Sequence, residues 1–150
     1  MRKILKSVII AILTISVLAT SNIVVWADEG TNNQISPYLI NCDRCVFSFN
    51  VVDPGKAQVS IVYTAKRDVF SEAIVSVKIQ KRFLGIFWKT VDIGLPNNEW
   101  IDTSTDVNGV FYNSFDVDGT GTYRAIFTVE IIGIDGSADL IEDTIEAKYS

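Results

Sequence analysis

Cys42-Asp-Arg-Cys45 is the sharpest local chemical signal in this sequence. Two thiols three positions apart have three readings: a small disulfide, two free or intermolecular thiols, or a redox or metal pair. The redox reading needs the first thiol at a helix N-terminus, where its pKa falls. Here the pair precedes a strand-like stretch and Asp43 adjoins it. A zinc site needs two further Cys or His ligands, and the sequence has 2 Cys and no His. A structural disulfide between Cys42 and Cys45 is therefore expected. Asp116-Val-Asp118-Gly-Thr120-Gly121 opens like a calcium loop. Its twelfth position is Phe127, where the bidentate Glu should stand. The expected reading is an Asp/Gly-rich turn; the other is a weak calcium site helped by Asp102 or Asp106.

Phe83-Leu-Gly-Ile-Phe-Trp88 is an apolar run flanked by Lys81, Arg82 and Lys89. Strict alternation cannot bury Phe83, Leu84, Ile86, Phe87 and Trp88 together. Some must face solvent, and exposed aromatic clusters mark partner, membrane or glycan surfaces. These residues, with Trp100 as a possible extension, are the candidate binding surface. Trp88 also suits a sandwich core.

With His absent, the commonest general base and metal ligand are gone, and a Ser-His-Asp triad cannot be built. Carboxylate pairs exist at Asp102/Asp106 and Glu142/Asp143, but no spacing singles them out for glycosidic chemistry. The expectation is a non-enzyme with no cofactor and no resident metal. The chain has 13 basic and 18 acidic residues, a net charge of −5. Phosphates would be repelled, so nucleic acid is not an expected partner.

The elements that position these residues are strands. Residues 1–27 read as a secretory signal peptide: Arg2, Lys3 and Lys6, an apolar run from Ser7 to Ala19, and Val25-Trp-Ala27 as a small-x-small site. An uncleaved anchor is the alternative. Removing this leader leaves 10 basic against 18 acidic residues, a net of −8. A secreted, extracellular location follows, with cell-surface association as an option. Residues 28–44 read as a polar N-terminal segment. Residues 45–150 read as one domain.

Within that domain Cys45, Phe47, Phe49 and Val51 alternate along a first strand. Asp53-Pro-Gly55 turns into a second, with Val59, Ile61 and Tyr63 inward. Further strands follow over residues 72–82, 86–93, 110–117, 123–132 and 140–149. The central one runs from Tyr123, with Tyr123, Ala125, Phe127, Val129 and Ile131 on one apolar face. About seven strands with regular turn signals and no helical periodicity predict an all-β, antiparallel β-sandwich, with a closed barrel as the other option. Arg124 and Lys78 are expected to pair with Glu130 or Glu146 across the sheet.

Gly121-x-Tyr123, preceded by Asp118, resembles the tyrosine corner of immunoglobulin-like domains. Ala125 stands where such domains place their second disulfide Cys, so the resemblance extends to architecture alone. The chain also resembles a functionally uncharacterised family of small secreted proteins of Gram-positive bacteria. The matching features are the leader, Gly55-Lys-Ala57, Val77-Lys-Ile-Gln-Lys81, Trp88-Lys-Thr-Val91 and Gly121-Thr-Tyr-Arg124. That resemblance implies a secreted immunoglobulin-like sandwich and no particular activity. The functional expectation is a secreted, non-catalytic binding or structural module whose partner is an unknown protein or cell-envelope component. The alternative is a small membrane-active toxin or bacteriocin-like protein acting through the Phe83–Trp88 hairpin.

Overall fold

The computed structural model describes residues 32–34 and 39–150. The expected signal peptide, and residues 28–31 and 35–38 of the segment 28–44, lie outside the described residues. The described chain folds into nine strands. They are β1 (Asn32–Gln34), β2 (Cys42–Val52), β3 (Lys56–Ala65), β4 (Phe70–Phe83), β5 (Phe87–Thr90), β6 (Glu99–Ser104), β7 (Asn108–Asp116), β8 (Gly121–Gly133) and β9 (Ala138–Tyr149).

Two antiparallel sheets form. One has the order β1-β2-β3-β7 and the other β5-β4-β8-β9. β6 also pairs with β4, so β5 and β6 follow one another along the same edge of β4. The expected all-β, immunoglobulin-like sandwich is what forms, with nine strands rather than seven. The additional two are β1 and β6.

The period-two pattern dictates the layers. Tyr123, Ala125, Phe127, Val129 and Ile131 of β8 are all fully buried, as are Val75, Val77 and Ile79 of β4. From the other sheet Phe47, Phe49, Val59, Ile61 and Tyr63 face them. The Phe47 and Phe127 rings meet between the sheets at 5.1 Å. Trp100 of β6 and Phe115 of β7 meet at 6.1 Å, closing the opposite side of the core. The Tyr63 ring lies against Gly109, its direct cross-strand partner. A Cβ there would stand 2.1 Å from the ring, so the position accepts only glycine.

Tyr123 makes the tyrosine corner. Its hydroxyl lies 2.6 Å from the carbonyl oxygens of both Asp118 and Gly119 and donates to them. The start of the central strand is thereby tied to the loop that feeds it.

At the other end a buried polar clasp joins the sheets. The Asp139 carboxylate accepts the N–H groups of Ile40 (2.9 Å), Asn41 (2.6 Å) and Cys42 (2.9 Å). The Asn41 side chain donates to the carbonyls of Ile131 and Ser137 at 3.3 and 3.1 Å.

The sheet edges are blunted by short local bonds. The N–H of Thr103 on β6 goes to Asp102, that of Ser114 on β7 to Asn113, and that of Thr144 on β9 to Asp143. Each takes up a donor on a strand that has a free side, which makes strand addition there less favourable.

The register does place Arg124 opposite Glu146, one of the expected partners, yet the side-chain pairs that form are others. Lys78 lies opposite Glu99 and pairs with it at 3.3 Å. Arg124 lies opposite Gln80, and its Nε donates to that side-chain oxygen at 2.8 Å. Glu146 pairs with Arg82 at 3.3 Å.

Candidate functional site: the β4–β5 hairpin

β4 outlasts the sandwich. Its alternate residues Ala73, Val75, Val77 and Ile79 face the core, and Lys81 and Phe83 continue the same parity beyond it. β5 returns alongside, with Lys81 opposite Lys89, Arg82 opposite Trp88 and Phe83 opposite Phe87. The turn is Leu84-Gly85-Ile86, closed by the Ile86 N–H on the Phe83 carbonyl at 3.2 Å. Phe83, Leu84, Ile86 and Phe87 are 57–75 % exposed. They form one contiguous apolar tip. Other exposed apolar residues, such as Ile40, Ile101 and Leu140, are spread over different elements.

The turn is not the one that hairpin stability alone would select. Leu84 sits at φ 50° and Gly85 at φ 74°. Two successive left-handed residues suit Asn-Gly or Gly-Gly. A leucine held there costs about 1 kcal/mol. Leu84→Asn should therefore stabilise the fold by about 1 kcal/mol, read as a raised melting temperature. An unchanged or lowered melting temperature would show that the leucine is not strained.

The hairpin is braced on both faces. On the outer face the Trp88 indole lies between two guanidinium groups, Arg82 at 4.7 Å and Arg124 at 4.2 Å. Each such contact is worth about 0.5–1 kcal/mol at an exposed site. The Arg82–Glu146 pair and the Arg124–Gln80 bond fix the two cations from behind. On the inner side the Lys81 ammonium donates to the Asp118 carbonyl at 2.6 Å and stands 5.2 Å from the centre of the Tyr123 ring. The tip is thus tied to the tyrosine corner and to β8.

Trp88 is half-buried on the outer face and does not enter the core. Trp100 is the reverse: it is buried against Phe115 and does not extend the exposed surface, correcting that expectation. Its register opposite Val77 turns it inward and leaves Ile101 outside.

A shallow groove of about 210 Å³ lies at the hairpin root, lined in part by Lys81, Lys89, Asp92, Asp116 and Asp118. It is smaller than the ~300–1,000 Å³ of ordinary small-molecule pockets. Asp116 is held by Lys56 at 2.5 Å, and the Asp118 carbonyl serves Lys81 and Tyr123. Among the described residues no group of three or more His, Cys, Asp or Glu side chains comes together to hold a metal ion. The Asp116–Gly121 stretch is built as a loop that feeds β8.

The expected Cys42–Cys45 disulfide is not formed. Both thiols are free and buried. A bulge between Cys42 and Arg44 shifts the register of β2. It turns both sulfurs inward while Asp43 and Arg44 face solvent, so each Cys packs as a small apolar residue. Burial pushes the Cys42 thiol up to about 11 and the Cys45 thiol up to about 12, from 9.0. A thiol held protonated is a poor nucleophile, which argues against the redox reading. Neither should react with a thiol reagent at pH 8 until the protein is unfolded; prompt reaction of the native protein would contradict the burial. The unfolded chain releases these protons first. Stability is therefore unaffected by the thiols below pH 9 and falls as pH rises from 9 through the folded values.

The residue that sequence reasoning missed is Asp139. Its parity with Ile141 and Ile145 places it on the inward face of β9, and an inward carboxylate is the signal that could have found it. No protein-family model and no curated protein matches this chain, so the hairpin is read from its own geometry.

Proposed function

We propose that this protein is a secreted, non-catalytic module that works by presenting the β4–β5 hairpin tip to a partner at the cell envelope. One observation carries the reading. Four large apolar side chains, Phe83, Leu84, Ile86 and Phe87, stand exposed together on a hairpin braced from both sides. Burying each in an interface is worth about 1.5–3 kcal/mol, so a partner has ample reason to cover them. The edges, by contrast, are blunted. The leader-like residues 1–27 and the resemblance to secreted Gram-positive proteins support export as part of the same reading.

The test compares the exported protein with Phe83→Ser/Phe87→Ser for retention on envelope fractions of the producing cell. The native protein should be retained, and the double variant should bind about ten-fold less or weaker. Its melting temperature should not fall, because neither ring is in the core. Equal retention of the two proteins would sink the proposal.

A further inference from the structure

We infer that the surface this hairpin engages is an anionic phospholipid bilayer, with the tip lodged in the interfacial region and the cations behind it at the phosphate level. The inference rests on the hairpin being the working surface. It is carried by how charge and apolarity are ordered along the hairpin.

The chain has 18 acidic residues, yet Gln80–Thr90 contains none, and it contains Lys81, Arg82 and Lys89. The apolar residues occupy the apex and the cations the two residue pairs behind it. Lys81 and Lys89 are direct cross-strand partners. Lys81 is held by the Asp118 carbonyl and Arg82 by Glu146, which leaves the exposed Lys89 as the cation placed to meet a lipid phosphate.

The dimensions fit. At ~3.3 Å per residue, the Phe83–Phe87 pair stands roughly 7 Å beyond the Lys81–Lys89 pair. The turn residues reach somewhat further. Amphipathic elements in a bilayer interface bury their apolar side by about 5–10 Å. A tip of this height fills the interface without reaching the hydrocarbon centre.

Trp88 sits between the two levels. Its indole is half-buried between guanidiniums, and Trp is the side chain enriched at the membrane–water boundary. The strain at Leu84 fits as well. An Asn would serve the turn better, but it would put an amide at the apex.

The other surfaces offer less. The Val62–Val110 pair with Tyr112 forms a short apolar row on the opposite sheet, with no cation among its neighbours on β3 or β7 from Gln58 to Thr64 and Asn108 to Ser114.

The test is vesicle co-sedimentation of the protein as exported, using phosphatidylcholine alone and phosphatidylcholine mixed with phosphatidylglycerol. All variants share one N-terminus, so any contribution from the preceding residues cancels. The native protein should bind the anionic vesicles, with a blue shift in Trp emission. Phe83→Ser/Phe87→Ser should bind about ten-fold less. Leu84→Asn should melt at a higher temperature and yet bind less. Lys89→Gln should lose about five-fold on anionic vesicles only.

Failure of the native protein to bind anionic vesicles would overturn the inference. So would equal binding by the Phe83→Ser/Phe87→Ser variant. Equal affinity of the native protein for the two vesicle types would overturn the assignment to anionic lipid. If vesicles fail while envelope retention still depends on the tip, the lipid inference falls and the proposed function stands. If both fail, both fall.

Discussion

Asp139→Ala should lower the stability of this protein by about 3–5 kcal/mol. The carboxylate is buried and accepts three consecutive backbone N–H groups at 2.6–2.9 Å. Hydrogen bonds to a charged group are worth about 1.5–3 kcal/mol each. Alanine removes the acceptor and leaves three donors behind, two of them buried. The loss also unties the sheets, since Ile40–Cys42 lead into β2 and Asp139 opens β9. Asp139→Asn should recover little, because its amide can turn only one oxygen toward the donors. Urea unfolding of both variants is the check. A midpoint unchanged in Asp139→Ala would mean that the clasp contributes nothing.

Tyr123→Ala should cost a similar amount, about 3–5 kcal/mol, on the scale of aromatic truncations in a core. Tyr123 is fully buried and sits on the central strand, and its hydroxyl binds the Asp118 and Gly119 carbonyls. Tyr123→Phe isolates the hydroxyl and should cost about 1–2 kcal/mol. The same substitutions bear on the hairpin. Lys81 leans over the Tyr123 ring and bonds to the Asp118 carbonyl. Losing the ring should loosen the root of β4–β5 and speed amide exchange there. A melting temperature unchanged in Tyr123→Ala would contradict the place of β8 in this fold.

Much of the architecture was legible because period-two alternation is a local property. The apolar face of Tyr123 to Ile131 is written in five alternating residues, and the structure buries all five. The exposed tip was legible for the opposite reason: five large side chains in six positions defeat alternation. What was not legible depends on register and irregularity. The bulge beside Cys42 leaves no mark on composition, so two inward thiols resembled a bridge. β6 is only six residues long, and its pairing with β4 alone decides that Trp100 points inward. The Arg82–Trp88–Arg124 stack needs the registers of β4 with both β5 and β8. Asp139 needed the parity of β9 extended past its apolar residues, into a stretch that reads as turn.

The central claim is that the Leu84 apex meets a partner. The native thiols are buried, so a cysteine introduced by Leu84→Cys can be labelled selectively with an environment-sensitive fluorophore. A matching Val110→Cys label reports from the exposed face of the opposite sheet. On adding envelope membranes, the label at position 84 should brighten and shift to the blue, while that at position 110 should not change. No change at 84, or the same change at both positions, would contradict the account.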